Sequence, residues 1–368
     1  MQQDPSTEKT TSPSESPPRR KLSVRKKVVF AALATFLFLV LMELTLRLIG
    51  FRFVTKAPNL VVNGRSVAPM FRHSEFLNWE PIPGEGPFNE DGFAGPRLRI
   101  ERTPGTPRMA TLGDSCTQFG DPPYPTRLCE RLAERLGKPV EVLNAGVVGY
   151  STEQGISRLR HKVLPHRPDA VTIYFGWNDH WATNRLTDAQ IAEEDAEDWQ
   201  WLDIVGRSRV VQAGLYGAHM VHERRMWGMM TKPHVLRVPL DRYEHNLRQM
   251  IELVRGISAE PILITAPSDV RPETPAMEFT FLKVMSETGY ESPKTLHNAY
   301  VEATRRVARE TGTRLVDAAT AFDGRDELFM RDHIHLSPDG ISALADLLVD
   351  ALANTVNEAA GAIPAQAP

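Results

Sequence analysis

From about residue 108 the chain alternates between two hydrophobic rhythms. MATLGD (109–114), VEVLNAG (140–146), DAVTIYFG (169–176), PILITAP (261–267) and TRLVDAA (313–319) are short apolar runs rich in β-branched residues. They predict buried strands. Between them, YPTRLCERLAERLG (124–137), STEQGISRLRHKVL (151–164), LDRYEHNLRQMIELVRGI (240–257) and LHNAYVEATRRVARETG (296–312) repeat apolar residues every three to four positions. These predict amphipathic helices, the first stopped by Gly137 and the second opened by Ser151 or Thr152. SPDGISALADLLVDALANTV (337–356) predicts a last helix, with Ser337 as its N-cap and Pro338 in its first turn. Strands alternating with helices predict a parallel sheet covered on both faces, an α/β sandwich of three layers. Ligands in such folds bind beyond the carboxyl ends of the strands.

Upstream the pattern differs. Residues 1–20 are rich in Ser, Thr, Pro, Gln and Glu without apolar periodicity, and a tail over 1–27 is expected to be disordered. Val28 to Met42 is uncharged and apolar, and the run continues to Ile49 with only Glu43 and Arg47 charged, four apart and able to pair on one helix face. At 1.5 Å per residue, 28–49 extends about 33 Å, enough for a bilayer core. A transmembrane helix is therefore expected there; a cleaved signal peptide fits less well, because the apolar run is long and no small-residue cleavage pattern follows. Residues 52–104 hold many Pro and Gly and read as a lead-in that packs on the α/β region 105–356. Within it, FNEDGFAGPRLRI (88–100) suggests turns leading to a short strand. Residues 180–239 break the strand–helix rhythm and predict a cap-like insert, and 357–368 a disordered C-terminal tail.

Charge refines this picture. The net charge is −3, so nothing suggests a nucleic-acid binder. Residues 1–27 nevertheless carry seven Lys/Arg against three Asp/Glu. A basic flank before the apolar run predicts a cytoplasmic N-terminus and an α/β region outside the membrane, periplasmic in a Gram-negative cell. The two cysteines, Cys116 and Cys129, are too few for a disulfide framework, and two free thiols are expected, although one bridge stays open.

Four polar fragments fall at strand ends: TLGDSCTQFG (111–120), NAGVVGYS (144–151), GWND (176–179) and RDHIHLSPDG (331–340). Singly, each also fits an ordinary turn or helix cap. Together, in one crevice, they hold the parts of a nucleophilic site. The Ser115 hydroxyl needs a base to take its proton during attack. His335 can do so through one ring nitrogen while Asp332, three residues earlier, orients the other. An oxyanion needs donors, and the backbone N–H groups of Ser115 and Gly149 and the amide of Asn178 can supply them. His333 is expected to point away. Trp177 and Trp181 flank Asn178 and are candidates for substrate contact at the pocket mouth. Trp199, Trp201 and Trp227, with the acidic run EEDAEDWQW and the Met-rich run HMVHERRMWGMM, read as packing and a solvated face.

These fragments resemble the four blocks of the SGNH, or GDSL-type, hydrolases, over residues 108–355, and FNEDGFAG is similar to a lead-in of bacterial membrane-anchored members. The resemblance implies a flavodoxin-like sandwich, Ser115 as nucleophile, Gly149 (by its spacing from Asn144) and Asn178 as oxyanion donors, and Asp332 and His335 as their partners. It implies no metal or organic cofactor, and an acyl ester as substrate, with an acylated surface glycan the one it favours. Cys116, beside the nucleophile, departs from the usual pattern and reads as a small buried hydrophobe. An O-acetyltransferase working on a surface polysaccharide, and an inactive binding module, are the alternatives.

Overall fold

The computed structural model describes residues 23–53, 61–62, 65–66, 70–74, 76–183, 186–193, 207–228, 235–274 and 289–361. The expected N-terminal tail through 22, the acidic run from 194 with Trp199 and Trp201, and the last seven residues lie outside these. The side chains of 222–228, Trp227 among them, also lie outside the description.

The chain divides into two units, 1–50 and 51–368. In the first, helix α1 spans Val24–Leu48. It starts four residues before the apolar run because Ser23 caps it, its side chain accepting from the Lys26 N–H. Its most apolar window has a mean hydropathy of 2.4 and is 0% buried, so by length and composition it can cross a membrane. Glu43 and Arg47 form the i, i+4 ion pair at 2.7 Å.

The second unit is built on a five-stranded parallel sheet: β1 Arg108–Gly113, β2 Glu141–Asn144, β3 Ala170–Tyr174, β4 Glu260–Ile264 and β5 Arg314–Val316. The spatial order is β2-β1-β3-β4-β5, the flavodoxin-like order. All residues of β1 and β3 are buried, which explains why they read as continuous rather than alternating apolar runs. The crossover from β1 to β2 runs opposite to the later ones. Right-handed connections then put its helix, α3 (Tyr124–Leu136, after the one-turn α2 Ser115–Gln118), on one face of the sheet. Helices α4 (Thr152–Arg158), α6 (Leu240–Arg255) and α7 (Pro293–Thr311) go on the other. Consistent with this, α3 packs on the last helix α9 (Pro338–Gly361), and α6 packs on both α4 and α7. The result is a three-layer α/β/α sandwich. Helix α5 (Arg209–Gly228) belongs to the insert, whose roots pair antiparallel as Ala182–Thr183 with Val235–Leu236. The one-turn α8 (Ala318–Ala321) follows β5.

Each helix buries one stripe. In α3 the stripe is Tyr124, Leu128 and Leu132, and Gly137 closes the helix at φ 61. In α6 it is Tyr243, Leu247, Met250, Ile251 and Val254. Two expectations are corrected. Helix α9 runs to Gly361, so 357–361 is helical; NEAAG carries no stop signal before its glycine. No strand forms at RLRI. Instead Ala94 makes a single bridge to Asn144 at the end of β2. Residues of the lead-in, Phe71, Leu77, Trp79, Phe88 and Phe93, share one core with the sheet.

Candidate active site

The carboxyl end of β1 turns abruptly into α2. Asp114 is the N-cap: its Oδ1 accepts from the Cys116 N–H at 2.9 Å. Gly113 is required there, since a Cβ would lie 2.1 Å from Thr117 Oγ1 and 2.7 Å from the Tyr174 carbonyl oxygen. The turn leaves Ser115 at the start of α2, 8% exposed. The thiol of Cys116 is buried with the Ile334 carbonyl 3.8 Å away, and burial pushes its pKa well up, so it stays protonated. Both cysteines are free.

The fourth fragment reaches Ser115 through a tight turn. The Met330 N–H donates to the His335 carbonyl at 2.7 Å, and His333 sits in the left-handed region at φ 64. His335 Nε2 lies 2.9 Å from Ser115 Oγ, and its Nδ1 lies 2.6 Å from Asp332 Oδ2. Asp332 Oδ1 accepts the N–H groups of Ile334 (3.0 Å) and His335 (2.9 Å). Burial pushes the Asp332 carboxyl up. The His335 hydrogen bond, the imidazole's charge and the two backbone donors outweigh it and hold the group at about 2. An ionised Asp332 requires a proton on Nδ1, which leaves Nε2 to accept from the serine. His333 turns aside, its Nδ1 2.8 Å from Asp269 Oδ1.

Gly149 adopts φ 79. Among the described residues, no acceptor meets the N–H of Ser115 or of Gly149. A buried donor without a partner is costly unless something else fills the role. Asn178 is 2% exposed, and its amide donates to Asp114 Oδ2 at 3.1 Å and to the Tyr150 carbonyl at 3.0 Å. Both amide hydrogens are therefore engaged. Burial pushes Asp114 up to about 6, opposed by the Cys116 N–H and by the charge of His335.

Trp177 corrects an expectation. It is 2% exposed, stacks on His297 of α7 at 4.1 Å, and aims its indole N–H at the Pro267 carbonyl in the loop following β4 at 3.5 Å. It is a core residue, not one at the pocket mouth. Trp181 is half-buried, with the Arg237 guanidinium 5.9 Å from its ring centre. Asp179, without a sequence-predicted role, is buried beside Asn178. Its Oδ1 accepts both the Thr152 N–H (2.9 Å) and hydroxyl (2.5 Å), tying the loop of Asn178 to the loop of Gly149. The signal was present in GWND but gave no partner. Among the described residues no group of three His, Cys, Asp or Glu side chains could hold a metal.

Residues 111–342 match the model of the GDSL-like lipase/acylhydrolase family. The chain belongs to this family. The acylhydrolase is also 28% identical over 251 residues to the isoamyl acetate-hydrolyzing esterase 1 homolog of Mus musculus, spanning 64% of this chain and 76% of that protein. The human counterpart is 25% identical over 250 residues, with the same coverage. Among solved structures, a lipase/acylhydrolase from Enterococcus faecalis aligns with a TM-score of 0.44 at 22% identity, over 71% of this chain and 100% of that one. TesA aligns with a TM-score of 0.42 at 18% identity, over 67% of this chain and 99% of that one. This acylhydrolase is an ester hydrolase of the GDSL type.

Proposed function

We propose that this hydrolase cleaves short acyl esters through an acyl-serine intermediate. Ser115 Oγ attacks the acyl carbon as its proton passes to His335 Nε2, and the carbonyl π electrons move onto oxygen. Asp332 holds the imidazolium that results. The tetrahedral intermediate then expels the alcohol, which takes the proton from His335. Water repeats the sequence in reverse roles and releases the acid. The N–H groups of Ser115 and Gly149 receive the oxyanion, and Asn178 joins them by sharing the N–H it gives to Asp114. The observation that carries this reading is the unbroken relay from Asp332 through His335 to Ser115, at 2.6 and 2.9 Å.

The substrate we favour is an O-acetyl ester, supported by the acetate ester in the name of the mouse and human relatives. The catalytic unit works outside the cytoplasmic membrane on an acylated surface glycan, held by α1. The length and hydropathy of that helix and its basic N-terminal flank support the placement. Trp181 is the remaining aromatic candidate for substrate contact. The full chain in detergent, assayed on p-nitrophenyl acetate and on acetylated glycans, tests the proposal. Ser115→Ala should lose turnover while keeping its circular dichroism and melting temperature; retained turnover rules Ser115 out as nucleophile. Acyl transfer to an added acceptor glycan in place of water would mark a transferase.

A further inference from the structure

The insert carries two buried charges whose partners lie at the candidate site. Asp188 is 4% exposed and Arg237 7%, and they form a fork of hydrogen bonds at 2.8–3.1 Å. They stand near the two roots of the insert, which backbone bonds stitch together: Asp188 N–H to the Arg237 carbonyl at 2.8 Å, and Arg237 N–H to the Trp181 carbonyl at 2.8 Å. The pair does not end on itself. Arg237 Nη1 donates to the Gly149 carbonyl at 2.9 Å and Nη2 to Gln154 Oε1 at 3.4 Å. Asp188 Oδ2 accepts the Ser151 hydroxyl at 2.6 Å. The insert thus grips the Gly149 turn at its own carbonyl and just after it, while α2 holds the residue before it, the Val148 N–H donating to Gln118 Oε1 at 2.7 Å. The turn needs it: Gly149 is held at φ 79, a shape that glycine does not adopt by preference over its alternatives.

We propose that Arg237 and Asp188 are positioning residues that aim the Gly149 N–H at the oxyanion, so that the insert serves the reaction as a brace on this donor. A buried ion pair is seldom the cheapest way to gain stability, since apolar side chains of equal volume do as well. Its planar, many-pronged geometry is what fixes a backbone turn in one direction. Donor aim matters because an oxyanion hole acts by being organised before the charge forms. This inference rests on the acyl-serine reading above.

The test uses the full-length protein and p-nitrophenyl acetate. Arg237→Lys keeps the charge but not the fork, and Asp188→Asn keeps the shape but not the charge. In each, kcat should fall roughly ten- to hundredfold, less than the 10²–10³ of a deleted donor, with KM within about threefold. The inhibition constant of an aryl trifluoromethyl ketone, whose adduct with Ser115 carries an oxyanion, should rise in step with the loss of kcat/KM. Arg242→Gln is the control: Arg242 pairs with Glu153 on α4 at 2.6 Å without touching the Gly149 turn, and its loss should leave kcat unchanged. Two results overturn the brace. Either variant could keep wild-type kcat when folded, or lose rate only in proportion to its folded fraction with an unaltered inhibition constant per folded enzyme. Failure of the underlying reading looks different: Ser115→Ala would then match the wild type.

Discussion

Replacing Asp332 by Asn isolates the role of one proton. The carboxylate has two duties at once: Oδ2 accepts from His335 Nδ1 at 2.6 Å, and Oδ1 accepts from the backbone N–H groups of Ile334 and His335 at 3.0 and 2.9 Å. An amide has only one acceptor oxygen. If that oxygen keeps the two backbone donors, the NH₂ faces Nδ1 and the imidazole must place its own proton on Nε2. The ring then donates to Ser115 Oγ across the 2.9 Å contact instead of accepting from it. The serine proton has nowhere to go. In the serine-protease triad that tautomer error costs about 10⁴-fold in kcat, which corresponds to about 5.4 kcal/mol of barrier. The same loss is expected here. Some stability should go with the carboxylate, because the fold holds Asp332 at about 2 against roughly 3.9 in an unfolded chain, but the side chain is 47% exposed and solvent screening keeps the loss well below the ~2.6 kcal/mol such a shift is worth at full strength. The assay is kcat and KM on p-nitrophenyl acetate with thermal unfolding in parallel. A rate within tenfold of wild type per folded enzyme would refute the argument that Asp332 sets the tautomer.

Three further outcomes follow from the same geometry. Gly113→Ala forces a Cβ to within 2.7 Å of the Tyr174 carbonyl, on the backbone of β3, and should cost about 1–3 kcal/mol in urea unfolding; an unchanged midpoint would mean the turn relaxes freely. Burial pushes the Asp179 carboxyl up to about 7, against roughly 3.9 in an unfolded chain. From about pH 4 to 7 the unfolded chain gives up this proton while the folded chain holds it, so stability should fall across that window and level off above it. Asp179→Asn should flatten that slope, read from urea midpoints at pH 4.5 and 8, although Asp114, raised in the same direction, keeps part of it. Trp181→Ala should raise KM up to about tenfold, the worth of one aromatic contact, with kcat near wild type. A fall in kcat instead would mean that Trp181 acts through Arg237.

Much of the architecture is legible in the sequence. Five apolar runs and the helices between them can be read locally, because burial of β1 and β3 on both faces demands apolar residues throughout, and packing on one side of α3 and α6 demands a stripe. Ser115 and Asn178 are legible as candidates because their fragments follow β1 and β3, and a parallel sheet collects those ends along one edge; Asp332 and His335 instead lie in the loop before α9, well past the end of β5 at Val316, and only the fold brings them to Ser115. The end of α9 is not legible, because its alanine-rich sequence carries no stop signal until Gly361.

What the sequence alone determined, then, is the set of elements and the types of side chain at their ends, since both follow from short-range periodicity and turn chemistry. Which of those side chains meet was decided only by the fold. Trp177 and Trp181 are indistinguishable as neighbours of Asn178 in the sequence, yet one ring is sealed against His297 and the other lies beside Arg237. Asp188 and Arg237 stand 49 positions apart in a stretch with no periodic pattern. Nothing local marks them as partners, because a buried charge becomes tolerable only through the opposite charge and the carbonyl that tertiary packing brings to it.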